Sequence, residues 1–307
     1  MAESDFVVLD ERFGKCVRRS ERLYQLHTGC RWAEGPVYVP AGRYLLWSDI
    51  PNDRVLRWDE TDGSVSVFAQ PARYANGHTL DREGRVLQCE HGSRSVTRIE
   101  HDGSTTTLAS HYDGKRLNSP NDVVVKSDGS VWFTDPAYGI DDDFEGHAAA
   151  SEIGACNVYR IDPRDGEVTI VADDFVRPNG LAFSTDEQRL YIVDSGVTHV
   201  KNGPRHIRVF DVTAQGLRGG DVFATCANGM FDGFRVDSAG RLWAGAADGV
   251  HCFDADGTLL GKILTPEPVA NVEFGGPQRN QLFMCATTSL YAMRLPVNGA
   301  LFRRSTS

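Results

Sequence analysis

Residues 118–139 read NSPNDVVVKSDGSVWFTDPAYG. An oxygen-bearing side chain, Asn121, stands just before the apolar run Val123-Val124-Val125. Asp128-Gly129 then marks a turn, and a second run with Val131, Trp132 and Phe133 follows. Short runs of β-branched and aromatic residues around an Asp-Gly turn predict two antiparallel strands.

Working outward, five more stretches share this pattern: AEGPVYVPAGRYLLWSD (33–49), ANGHTLDREGRVLQCEH (75–91), PNGLAFSTDEQRLYIVD (178–194), FDGFRVDSAGRLWAGAA (231–247) and ANVEFGGPQRNQLFMCA (270–286). The fourth of the six repeats has Glu-Gln where the others turn on Gly, and the sixth has Asn-Gln. Two further strands follow most repeats, as in RVLRWDETDGSVSVFAQ and SVTRIEHDGSTTTLAS. No long helical period occurs. Each unit therefore supplies four antiparallel strands, which is one blade of a propeller. The anchoring residues Glu34, Asn76, Asn121, Asn179, Asp232 and Asn271 are 42, 45, 58, 53 and 39 residues apart, the spacing of blades. The expectation is an all-β, six-bladed β-propeller filling residues 1–307 as one domain, with 1–20 as an N-terminal extension. The last blade lacks a strand, so a segment at Arg22 to Leu26 or nearby is expected to close the ring and remove exposed edges.

Two longer gaps hold inserts, around GIDDDFEGHAAASEIGAC and SGVTHVKNGPRH. Both follow a second strand, so both belong on one face of the disc. DDDFEG (141–146) lacks the register of an EF-hand and reads as a solvated acidic insert.

Bulk properties narrow the function. A chain of 307 residues with 41% hydrophobic and 24% charged residues is an ordinary globular sequence. Its net charge of −10 and the lack of a basic stripe argue against nucleic acid. Seven scattered cysteines without a CxxC pair read as reduced, buried residues rather than a zinc site. Neither a secretory signal nor a membrane-length apolar run is found, which makes the cytoplasm the expected location. GxSxG, GxGxxG, GxxxxGK[ST] and HExxH do not occur.

The residue opening each blade's first strand lies at one end of the central channel. The six positions carry Glu, Asn, Asn, Asn, Asp and Asn, all with side-chain oxygens and none with sulfur or imidazole. Any one Asn-Gly or Asp-Gly alone reads as a turn, but six in register point to a cation. Hard oxygen donors suit Ca²⁺, and Glu34 with Asp232 balances a divalent charge.

AEGPVY, NSPNDVVVKSDGSVWFTDPAYG, RPNGLAFS, FDGFRVDSAGRLW and NVEFGG together resemble the gluconolactonase branch of the senescence-marker/gluconolactonase/luciferin-regenerating-enzyme family, over residues 29–295. The resemblance implies a six-bladed propeller with one divalent cation at the channel mouth, Ca²⁺ or else Zn²⁺, Mn²⁺ or Mg²⁺. It implies Glu34, Asn121, Asn179 and Asp232 as ligands, with Asp232 also the general base, and Asn76 and Asn271 as outer or water-mediated partners. Some members carry an Arg two positions before Asn121, where this chain has Ser119. The implied reaction is hydrolysis of a sugar lactone, D-glucono-1,5-lactone to gluconate, by water attack on a cation-polarised carbonyl. Further substrate contacts are expected from Asn76, from Glu90, His91 and Arg94 after the second repeat's strands, and from Asp135 and Tyr138 in the equivalent loop of the next. His78, His199 and His206 read as structural. The rival readings are another lactonase or an organophosphate hydrolase on this scaffold, and a non-enzymatic binding platform. The partner expected is a small lactone, with neither nucleic acid nor membrane, for a monomer or homodimer.

Overall fold

The computed structural model describes residues 5–214 and 216–300. Six sheets of antiparallel strands stand around one axis. Blade 1 comprises Ala33–Val39, Tyr44–Asp49, Arg54–Asp59 and Val65–Ala69, and blade 2 Ala75–Leu80, Val86–Glu90, Ser95–Ile99 and Thr105–Ala109. Blade 3 comprises Val123–Val125, Val131–Asp135, Cys156–Ile161 and Val168–Phe175, and blade 4 Pro178–Phe183, Arg189–Asp194, His206–Thr213 and Gly216–Thr225. Blade 5 holds Phe231–Val236, Leu242–Ala246, Gly249–Phe253 and Leu259–Leu264, and blade 6 Val269–Gly275, Gln281–Ala286 and Ser289–Arg294. The first strand of each blade touches the first strands of both neighbours, so these six strands form a closed ring about the channel.

Turn chemistry sets the hairpins. In blade 2 the Asp81 carboxylate accepts from the backbone N–H of Glu83 and Arg85 at 2.9 Å. In blade 5 Asp237 does the same for Ala239 and Arg241. The glycines that end these turns, Gly84 and Gly240, have φ of 80° and 84°, a region that costs glycine little.

The N-terminal segment closes the ring. Tyr24–Thr28 pairs antiparallel with Ser289–Arg294 and becomes the outer strand of blade 6, two residues later than the sequence suggests. The described residues of the N-terminal extension pack on the blades. Phe6–Val8 adds a fifth strand to blade 5 against Gly261–Ile263, and Glu11–Lys15 forms a 3₁₀ turn that buries Phe13. An edge strand offers unpaired backbone groups, and the leading segment satisfies them here.

The core is divided among the blade interfaces. Val37 and Leu46 meet Ala75 and Val86 between blades 1 and 2; Leu87 and Phe133 share a cluster between blades 2 and 3; Trp132 meets Leu181 and Phe183 between blades 3 and 4. The remaining interfaces are filled in the same way. Both faces of a blade are thus buried, which explains strands such as VWFTD that are apolar on both sides. All seven cysteines are free thiols. Among the described residues no helix is long and apolar enough to cross a membrane.

Candidate active site

The glycines after the oxygen donors decide how closely the blades approach at the channel mouth. A Cβ on Gly35 would lie 1.9 Å from the backbone O of Asn76; on Gly77, 2.5 Å from that of Asn121; on Gly180, 2.5 Å from that of Asp232; and on Gly233, 2.0 Å from the Asn271 side chain. Each Gly therefore packs against the donor residue of the next blade. The same dipeptides interrupt strand pairing. Register shifts fall between Glu34 and Val37, Ala75 and His78, Pro178 and Leu181, and Phe231 and Phe234. A bulge turns a side chain out of the pleat, and here it turns each donor toward the axis.

Glu34, Asn76, Asn121, Asn179, Asp232 and Asn271 are all buried. Asn271 donates its amide N–H to Glu34 Oε2 at 3.1 Å, while its own oxygen accepts from the Val272 N–H. It steers Glu34, and one lone pair of its own oxygen is already taken. Asn179 donates to Ser195 Oγ at 3.3 Å, whose O–H is committed to the Phe231 carbonyl, and it also hydrogen-bonds the Asp232 carboxylate. Asn76 donates to His91 Nε2 at 3.3 Å, leaving its oxygen as the free end of the amide.

Two carboxylates face each other across this ring. Burial pushes the Glu34 carboxyl up to about 8, only partly offset by the Gly35 N–H. Burial raises Asp232 well above the carboxylate range, and the charge of Glu34 raises it further. Two buried acids repelling each other, among amide oxygens and with no lysine or arginine among the described residues bonded to either, fit a divalent cation. The donor set is hard oxygen throughout, so the residues present suit the Ca²⁺ expected from the sequence. Below the ring, half-buried Arg235 donates to Glu273 at 2.9 Å and lies 3.7 Å from Asp122. This cationic plug was not foreseen, because FDGFRV reads as a plain strand.

Both inserts sit at this mouth and hold each other. The Asp141 carboxylate pairs with Arg177 at 2.9 Å and with His199 at 3.2 Å. The Tyr138 ring lies between the Arg177 guanidinium and the His199 ring, with its O–H at 3.1 Å from Thr198 Oγ1. Farther along, Arg31 covers the Phe144 ring at 4.9 Å, and Tyr74 meets His147 at 5.1 Å between ring centroids. Leaving blade 3, the insert 137–155 thus reaches contacts from blades 1, 2 and 4 and roofs the channel.

The expected substrate contacts divide. Glu90 is fully enclosed, accepting from Gln88 at 2.7 Å, Thr97 at 2.8 Å and Arg73 at 3.2 Å, and from Ser93. Its lone pairs are spent on holding its own blade. Arg94 is buried and donates to the carbonyls of Leu117 and Asn118 at 2.6 and 3.0 Å. Asp135 is buried and accepts the Asn118 N–H at 2.8 Å, so these three residues brace loops. Ser119 does likewise, donating to the Pro136 carbonyl at 2.7 Å and accepting the Gly139 N–H at 2.9 Å; it roots the insert where an Arg would offer a charge. His91 bridges Asn76 and the roof. Burial holds it neutral, with its pKa lowered to about 4, so Nδ1–H donates to the Glu145 carbonyl at 3.0 Å and Nε2 accepts from Asn76. Tyr138 lies near enough to Asp232 to feel its charge. His78 is buried with Nδ1 at 2.7 Å from the Gly35 carbonyl.

Sequence reasoning missed Glu145. DDDFEG is not uniformly solvated: 141–144 are exposed, but Glu145 is half-buried. Its charge acts on both Glu34 and Asp232, and burial raises its own carboxyl to about 7. The only hint in the sequence is the following Gly146, which packs on Gly139 so closely that a Cβ would lie 2.1 Å from its carbonyl oxygen.

The class of protein is therefore a six-bladed propeller whose channel mouth is ringed by oxygen donors and roofed by blade inserts. Residues 32–288 match the SMP-30/Gluconolactonase/LRE-like region, and the chain belongs to that family. It is 30% identical to the gluconolactonase of Zymomonas mobilis, over 88% of this chain and 80% of that protein. With the pentonolactonase XacC of Haloferax volcanii it shares 32% identity, over 84% and 82% of the two chains. Among solved structures, a gluconolactonase of Xanthomonas campestris superposes with a TM-score of 0.88 at 38% identity, covering 95% of this chain and 96% of that one. The calcium-binding regucalcin of Agrobacterium tumefaciens shares the fold, with a TM-score of 0.72 at 20% identity, over 91% and 96% of the chains.

Proposed function

We propose that this protein is a lactone hydrolase that opens a sugar lactone, foremost D-glucono-1,5-lactone to gluconate. It uses one divalent cation, foremost Ca²⁺, held by Glu34, Asn121, Asn179 and Asp232. The observation that carries the reading is the pair of buried acids, Glu34 and Asp232, from blades 1 and 5, set among amide oxygens at the channel mouth. The lactonase relatives favour the same chemistry.

A cation bound there supplies Lewis acidity to the ring carbonyl. The chain's residues do the rest. Glu34, fixed by Asn271, contributes negative charge without moving. Asp232, oriented by Asn179, takes a proton from the attacking water and returns it to the ring oxygen as the C–O bond breaks. The atoms balance as lactone plus water giving hydroxy acid. Neutral His91 does not compete for that proton, because its one basic lone pair, on Nε2, is engaged by the Asn76 amide N–H; it holds Asn76 and the roof together.

The test follows acid release from glucono-1,5-lactone by the full chain before chelation, after it, and with Ca²⁺, Zn²⁺, Mn²⁺ or Mg²⁺ restored. Turnover is expected to vanish on chelation and return with at least one cation. No hydrolysis above the spontaneous rate under any cation ends the reading.

A further inference from the structure

Insert 137–155 does more than cover the channel. Its backbone is tied from several directions: His147 N–H to the Gly139 carbonyl at 3.0 Å, Ala149 N–H to the Ile140 carbonyl at 3.0 Å, and His91 to the Glu145 carbonyl at 3.0 Å. Contacts from Arg31 to Phe144 and from Tyr74 to His147 fix the residues on either side of Glu145. The Glu145 side chain is thus presented to the channel mouth by a rigid frame. Its charge reaches Glu34, Asp232 and Tyr138.

Two facts separate Glu145 from the axial donors. Among the described residues no three His, Cys, Asp or Glu side chains gather as a metal-ligand cluster. Glu145 is tied to the ring instead through His91, which joins its carbonyl to the Asn76 amide. Nor do the described residues place a hydrogen-bond donor or a cation on its carboxylate, in contrast to Glu90, whose oxygens are saturated. A half-buried carboxylate with no donor of its own keeps its lone pairs available to a ligand's O–H groups.

We propose that Glu145 is a specificity-determining residue, whose carboxylate accepts hydrogen bonds from hydroxyl groups of a polyhydroxylated lactone held between roof and ring. The inference rests on the lactone-hydrolase reading above. An acceptor-only carboxylate complements a substrate rich in O–H donors. A lactone without hydroxyls leaves that acceptor unpaired, and such mismatches are what polar sites reject most strongly.

The experiment compares wild type with Glu145→Gln and Glu145→Ala, all loaded with Ca²⁺. The quantity read is the selectivity ratio, kcat/KM for glucono-1,5-lactone over kcat/KM for δ-valerolactone. Affinity for gluconate is measured alongside by titration calorimetry, and melting temperature confirms that the variants fold. The ratio is expected to fall roughly 10- to 100-fold in Glu145→Ala, with a smaller fall in Glu145→Gln, and gluconate binding is expected to weaken with it. An unmoved ratio with unchanged gluconate binding overturns the assignment, whether neither rate changes or both fall together as loss of a general base would make them. Wild type inert toward both lactones is a different failure: it removes the hydrolase reading itself, and this inference with it.

Discussion

Glu34 and Asp232 carry the charge of the site, and their burial makes their replacement informative. Glu34→Gln keeps the shape and the contact with Asn271 while removing a charge; Asp232→Ala removes both donor and base. Each is expected to lower kcat for gluconolactone by roughly 10²- to 10³-fold, the scale for losing a group that stabilises charge in the transition state. Neither change should unfold the protein, since deleting one of two repelling acids relieves repulsion. Near-normal turnover in either variant shows that the reacting centre lies elsewhere. The glycines at these positions were legible only in part. NG and DG read as turns, whereas at the channel mouth Gly35, Gly77, Gly180 and Gly233 are required because the next blade's donor residue occupies the space of a Cβ. Glu145 was legible only through the glycine that follows it. Three aspartates in a row suggest solvent, and only the folding of the insert across three other blades brings the following acid to the channel.

At the level of elements, residues 5–28 show how a closed ring uses its ends. Tyr24–Thr28 is forced by the missing strand of blade 6, a shortage visible in the sequence. The segment before it is held by Phe13, which fits where Gly261 leaves room: a Cβ there would lie 2.2 Å from the Phe13 ring. Phe13 also packs on Trp243, with ring centroids 6.1 Å apart. Phe13→Ala is expected to destabilise the protein by about 3–5 kcal/mol, the usual cost of emptying a fully buried aromatic site. A denaturant titration reads this as a lower midpoint with an unchanged slope. A shift below about 1 kcal/mol shows that the segment adds little to blade 5. The fifth strand itself was not foreseeable, because FVV is too short to predict a strand without the edge that receives it.

For the whole molecule, the consequence of gathering acids at one pore is a linkage between pH, cation and stability. The Glu34 carboxyl is raised from 4.5 to about 8 in the folded chain, and Asp232 is raised in the same direction. A raised acid binds more protons folded than unfolded. The chelated protein therefore loses stability as pH climbs from the unfolded value toward the folded one. Added Ca²⁺ competes with those protons. Its stabilising effect should be small near pH 5 and larger near pH 8, as read by the melting temperature with and without Ca²⁺. An effect as large at pH 5 as at pH 8 contradicts a cation held by these two acids. Read alone, the sequence determined the six-bladed propeller, its closure near residue 24 and the six oxygen-bearing residues Glu34, Asn76, Asn121, Asn179, Asp232 and Asn271 that open the blades. Those features repeat at blade spacing, and a repeat is local information that survives in one dimension. Tertiary structure alone decided that Glu90, Arg94 and Asp135 brace loops, that Arg235 plugs the channel, and that Glu145 meets the site. Each outcome depends on which hydrogen-bond partners distant blades bring within about 3 Å, and no spacing along the chain encodes that.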